Sequence, residues 1–225
     1  MPNMPYKNAT MRFVRHFNIL CLLLVMVFIP RIAVADDVHN FFLAISFDND
    51  HAVREALAHG IDPNLKEDSR GDPALIFTLR ENAMKAFEIL LNDPKTDLQA
   101  HSNNGDTALM IASYMANKPA VAALLDKDVE VNKTGWTALH YAATAGDCGI
   151  IKLLLDKSAY IDAESPNKTT PLMMAARTGQ MAAVKLLIEA GADVSLKNDQ
   201  GMTAADFAIN HEFTDVAAVL KSAQH

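Results

Sequence analysis

The stretch GWTALHYAATAGD, residues 135–147, sets the chain's single tryptophan, Trp136, and a histidine, His140, among small apolar side chains. An imidazole so placed could serve as a general base or a metal ligand, or as a hydrogen-bonded part of a scaffold. The other histidines beyond residue 35, at positions 39, 51, 59, 101, 211 and 225, show no metal-ligand spacing, and His51 and His59 are too far apart on one helix to share a metal. Cys148 follows Gly146-Asp147 at an expected helix start, where a thiol pKa falls. A reactive thiol or an intermolecular bridge would use that property; a half-buried structural cysteine is the preferred reading. Met110, Met115, Met173, Met174, Met181 and Met202 could offer soft-metal ligands or an adaptable binding surface, but gap-filling in a core is the more economical role. The acid pairs Asp36-Asp37 and Glu67-Asp68 read as solvated charges. No G-x-S-x-G, H-E-x-x-H, glycine-rich phosphate loop or C-x-x-C occurs. No catalytic residue, cofactor or metal is assigned, and an enzyme is not expected.

The segment 1–35 stands apart from the rest of the chain. A polar lead-in with Arg12, Arg15 and His16 precedes an apolar run from Ile19 to Ile29, and Ala33-Val34-Ala35 then offers a small-x-small cleavage signal before Asp36. That order is a secretory signal peptide's, with the cut expected after Ala35. The apolar run is too short to cross a bilayer core, which takes about 20 residues. Cys21 sits inside the run rather than after it, which argues against a lipoprotein. The implied location is the periplasm or the medium. Four of the 20 Lys and Arg residues lie in 1–35 and none of the 27 Asp and Glu do, so the chain from Asp36 onward carries a net charge of −11. Nucleic acid and anionic membrane both need a basic face, so neither is expected as a partner. Only Cys148 remains after cleavage, so stability rests on packing rather than disulfides.

The elements that must position these side chains show themselves by repetition. GWTALHYAATAG (135–146) aligns with KTTPLMMAARTG (168–179), GDTALMIASYMA (105–116), GMTAADFAINHE (201–212) and GDPALIFTLREN (71–82). The anchors are Pro73, Thr107, Thr137, Thr170 and Thr203, which recur at a nearly constant interval, shortest between Thr107 and Thr137. A second apolar segment follows each, with Leu90, Leu124, Leu154, Leu187 and Leu220 all at one identical offset past their anchors. Thr170-Pro171 suits a helix start, and Gly146 and Gly179 suit the left-handed turn that ends one. Each unit therefore reads as helix–turn–helix, with an extended hairpin such as EAGADVSLKNDQG (189–201) leading to the next.

The motifs TALHYAATAGD, TTPLMMAARTG and EAGADVS resemble the ankyrin repeat, across essentially all of the chain beyond residue 35. The resemblance implies an all-α solenoid of about six helix-turn-helix units joined by β-hairpin-like loops, at about 38–70, 71–104, 105–134, 135–167, 168–200 and 201–225. The stretches 44–64 and 203–223 look like terminal caps, with Asp206 departing from the motif. His140 takes the motif's histidine position, which implies a hydrogen-bonded bridge to a neighbouring turn. The unit at Pro73 lacks the small alanine pair, carrying Thr78 and Leu79, and has a longer outer turn, NDPKTD (92–97). A locally altered edge is expected between Pro73 and Thr137. Lys168 replaces a hairpin glycine, so that tip is expected to adopt positive φ less freely.

What the resemblance implies for function is a recognition surface formed by hairpin tips and first helices. Carried over by position, its exposed sites fall just before each anchor and seven to eight residues after it. Asp72, Arg80, Asn104, Asp106, Tyr114, Met115, Trp136, Thr144 and Arg177 are the assigned protein-binding residues, with Arg70, Glu81, Thr134, Ala145, Asn167, Thr169, Thr178, Met202, Asn210 and His211 at equivalent places. Trp136, Tyr114 and Met115, flanked by Arg80 and Arg177, have the aromatic and arginine bias of interface hot spots. Trp136 could equally pack along its own hairpin, and packing is preferred for Tyr141. The expected function is a monomeric, exported, non-enzymatic scaffold for a protein partner. A secreted effector or immunity-type protein is the alternative; an enzyme built on the altered units is a more remote one.

Overall fold

The computed structural model describes residues 36–223, so the expected signal segment 1–35 lies outside the described residues. A helix described over 36–46, α1, is followed by α2 (Asp50–Ala58), α3 (Ala74–Arg80), α4 (Met84–Asn92), α5 (Ala108–Tyr114) and α6 (Lys118–Leu125). Then come α7 (Ala138–Ala145), α8 (Cys148–Asp156), α9 (Pro171–Arg177), α10 (Met181–Glu189), α11 (Ala204–Asn210) and α12 (Thr214–Ser222). Odd-numbered helices form an inner row and even-numbered ones an outer row. Every substantial helix–helix contact among the described residues lies within a pair or between neighbouring pairs. The fold is therefore a solenoid, in which stacking buries faces that no single pair could cover.

Local sequence sets each start. Pro73, Thr107, Thr137, Thr170 and Thr203 are the N-caps of α3, α5, α7, α9 and α11. The threonine hydroxyls at 107, 170 and 203 accept from the N–H three residues on, satisfying a donor the helix itself cannot. Outer helices use Asn117 and Asp147 in the same way for α6 and α8. Ala83 cannot cap α4, and Asp48 from the preceding pair does so, its Oδ1 accepting from the N–H groups of Lys85 and Ala86. The leucines at the shared offset from the anchors, Leu90, Leu124, Leu154, Leu187 and Leu220, are all fully buried.

The loops follow the β-hairpin-like course expected of them. The hairpins are not regular strands: among the described residues they hold two isolated antiparallel bridges, Lys66 with Pro73 and His101 with Thr107. Lys168 does adopt positive φ, at +57°, beside +88° and +74° for Gly135 and Gly201 in equivalent turns. The turn is enforced by its own hydrogen bonds, Lys168 N–H to the Ser165 carbonyl and Ser165 N–H to the Thr169 carbonyl. Stacking of the units dictates the loop, and the side chain bears the strain.

The altered region is real. Packing of α3 on α5 is thinner than between later inner helices, and α4 has little contact with α6. Thr78 and Leu79, both buried, stand where later pairs have Ala142-Ala143 and Ala175-Ala176. Larger side chains at a helix–helix approach hold the backbones apart.

Candidate functional site

His140 is wholly buried and is part of the frame. The Thr137 N–H donates to its Nδ1 at 3.2 Å, which leaves Nε2–H to donate to the Thr169 carbonyl at 2.8 Å in the next hairpin. Both ring nitrogens are thus occupied, and burial pushes the imidazole pKa down to about 4 despite the bond to Thr169. At the equivalent place Met110 and Met173 accept the Thr107 and Thr170 N–H on sulfur at 3.4 Å, and Asp206 accepts that of Thr203 at 2.8 Å. Of the six methionines read as core fillers, Met110 and Met173 are buried, whereas Met115 is exposed.

Around this frame a pocket of about 260 Å³ opens, lined by Tyr114, Trp136, His140, Tyr141, Thr144, Met174 and Arg177. Three successive inner helices contribute: α5 brings Tyr114, α7 and its hairpin bring Trp136, Tyr141 and Thr144, and α9 brings Met174 and Arg177. Side chains four and seven residues past an anchor share one helix face, which explains why Tyr141 and Thr144, and Met174 and Arg177, converge. Trp136 stands edge-on to the His140 ring, with centroids 5.1 Å apart, so it both packs on its own unit and walls the pocket. Tyr114 and Tyr141 meet edge to face at 6.0 Å. Thr144 donates its hydroxyl to the His140 carbonyl. Arg177 is exposed and has no carboxylate within ion-pair distance among the described residues.

A polar network lies beside this pocket. Arg80 Nε donates to Asp72 Oδ2 at 2.6 Å and its Nη2 to Asp106 Oδ2 at 3.3 Å. The Tyr141 hydroxyl donates to Asp106 Oδ1, and burial together with that carboxylate raises the phenol's pKa. The Asp72 N–H in turn donates to Glu67, whose pKa is held at about 2 because bonds from Ser69, Arg70 and Asp72 outweigh the upward effect of burial. Asp72 Oδ1 is buried with no hydrogen-bond partner.

Four of the nine assigned residues, Tyr114, Trp136, Thr144 and Arg177, come together in the pocket. Met115 and Asn104 are exposed but stand outside it. Asp72 and Asp106 correct the sequence reading. Position along the repeat puts them on the exposed surface, yet both are buried, drawn in by Arg80, which spends its charge on them. Thr169 is buried too, its carbonyl taken by His140. Tyr141 and Met174 were not assigned, although their place four residues past an anchor, on the face of Thr144 and Arg177, was readable.

Cys148 is half-buried at the first position of α8. No helix among the described residues is long and apolar enough to cross a membrane.

The sequence model of the family described as "Ankyrin repeats (3 copies)" matches residues 41–134, 80–165 and 160–225. The chain is 29% identical over 136 residues to the neurogenic locus notch homolog protein 1 of Homo sapiens, covering 59% of this chain and 5% of that protein. It is 32% identical over 123 residues to the human neurogenic locus notch homolog protein 2, covering 53% and 5%. Against the human transient receptor potential cation channel subfamily A member 1 it is 27% identical over 154 residues, covering 64% and 14%. The chain thus spans only a small part of each of these relatives.

Proposed function

Because this chain belongs to the ankyrin-repeat family, we propose that it is a non-enzymatic scaffold that binds a protein partner through the face of its inner helices and hairpin tips. Ankyrin repeats are generally protein–protein interaction modules, and the family is typically non-enzymatic. The observation that carries the assignment to this face is the convergence of Tyr114, Trp136 and Arg177 from three successive units on one open pocket. Aromatic and arginine side chains held in a pocket are the usual anchors of an interface. The aromatic anchors are held in advance: Trp136 stands against His140, and Tyr114 against Tyr141, whose hydroxyl is bonded to Asp106. Binding therefore need not order the aromatic side chains afresh, which keeps that part of its entropic cost low. The order of charge, apolar run and small-residue site in 1–35 supports action outside the cytoplasm, in the periplasm or medium.

The test is capture of a partner from a periplasmic extract. Trp136→Ala combined with Arg177→Ala is expected to abolish it. Thr144→Arg, which removes nothing from the core, is expected to do the same with an unchanged thermal midpoint. Capture that survives both changes would overturn the assignment of this face.

A further inference from the structure

Arg80 and Arg177 hold the same register, seven residues past their anchors, but differ in chemistry. Arg80 is neutralised by Asp72 and Asp106. Arg177 has no carboxylate partner among the described residues and borders a cavity walled by Trp136, Tyr114, Tyr141 and Met174. At about 260 Å³ that cavity falls below the roughly 300–1,000 Å³ typical of small-molecule sites, and matches a single bulky side chain. Ring edges and a thioether favour an aromatic occupant. An aromatic cage can also take a cation, but here the Arg177 guanidinium shares the pocket and would repel one. The cavity draws on three consecutive units in the middle of the row, with the inner face continuing on both sides, so an occupant can pass through without ending there.

On the premise of the scaffold reading above, we propose that this pocket anchors an aromatic side chain from within a partner's polypeptide, and that Arg177 pairs with an acidic side chain next to it. Guanidinium and carboxylate match as a planar fork, which sets the register of the segment. The chain's overall negative charge opposes an acidic segment only at long range. At physiological salt, charges more than about 8 Å away are largely screened, and the pair at Arg177 decides.

Trp136 is the only tryptophan, so emission excited at the red edge of the spectrum, where the four tyrosines do not absorb, reports on this pocket. The probes are acetylated, amidated hexapeptides, Gly-Ser-Phe-Glu-Ser-Gly and its Phe-Gln, Phe-Lys and Ala-Glu versions, plus a peptide ending in Phe with a free carboxylate. Titrated up to about 10 mM, the Phe-Glu peptide is expected to shift Trp136 emission saturably, with a Kd in the millimolar range. Phe-Gln should bind about tenfold more weakly, and Ala-Glu should give no response. Arg177→Gln should weaken Phe-Glu about tenfold and leave Phe-Gln unchanged, while Arg177→Lys restores part of the loss. Its exposed place in the last turn of α9 lets all three chains fold alike, as a urea midpoint will verify. Equal affinity for Phe-Glu and Phe-Gln, preference for Phe-Lys or for the free C-terminus, or no response to any peptide would overturn the proposal. Should that happen while the alanine pair still abolishes capture, the anchor chemistry fails and the scaffold reading stands; persistent capture fails the face itself.

Discussion

His140 holds two hairpins together only while it is neutral. Its folded pKa of about 4 lies below the unfolded value of about 6.5, so the unfolded chain binds the extra proton first. This contribution is full above pH 6.5 and is lost as pH falls towards 4, by up to about 3 kcal/mol. His140→Met installs what α5 and α9 already use. It should cost about 1–2 kcal/mol at pH 7, through the orphaned Thr169 carbonyl, and should flatten the decline between pH 6.5 and 4. Urea midpoints for both chains across that range check it. Glu67, its pKa lowered from 4.5 to about 2, loses its contribution only below pH 4.5, so most of the His140 window is free of it. His140's structural role was legible because its motif position names both partners. The burial of Asp72 and Asp106 was not. Position along a repeat says where a side chain starts, whereas the fate of a carboxylate depends on Arg80, which reaches across two hairpins.

Turns carry the clearest test at the level of elements. Lys168 keeps φ at +57°, a conformation that costs a side-chain-bearing residue about 1–2 kcal/mol. Lys168→Gly should therefore stabilise by roughly 1 kcal/mol, the gain being reduced by the added freedom of the unfolded chain. Gly179, at +71°, predicts the opposite. A Cβ there would stand 2.5 Å from the Phe213 ring, so Gly179→Ala adds steric overlap to strain and should cost on the order of 2 kcal/mol or more. Thermal midpoints that fail to move in opposite directions would refute the account. The alignment located both turns because glycine marks the left-handed position elsewhere in the repeat. At Lys168 residue preference gives the cost of positive φ, while the loop's own hydrogen bonds hold the conformation all the same.

At the scale of the whole molecule, the interface between the second and third helix pairs, α3–α4 against α5–α6, is thinner than those that follow it along the row. The Arg80 ion pairs bridge it, joining Asp72 on one side to Asp106 on the other. Arg80→Met leaves two carboxylates buried without a counter-ion and should destabilise by about 2–4 kcal/mol, more than an exposed pair would. The loss should be uneven, because a repeat array uncouples at its weakest interface. Hydrogen exchange should then quicken in residues 36–104 before it does beyond 105; uniform acceleration would contradict the seam. Sequence placed the irregularity between Pro73 and Thr137, from the missing alanine pair and the uneven spacing. What holds it closed is a side-chain arrangement that repeats cannot encode, since it occurs once.

The serial layout also sets how the chain would answer a mechanical load. Helix pairs that touch only their neighbours transmit tension one interface after another, so pulling on both ends does not load the structure in parallel. Each pair that lets go would free about 33 residues, roughly 110 Å of slack at full extension. Arg80 would then serve as the fuse, and the molecule would yield as a stepwise tether rather than rupture at once.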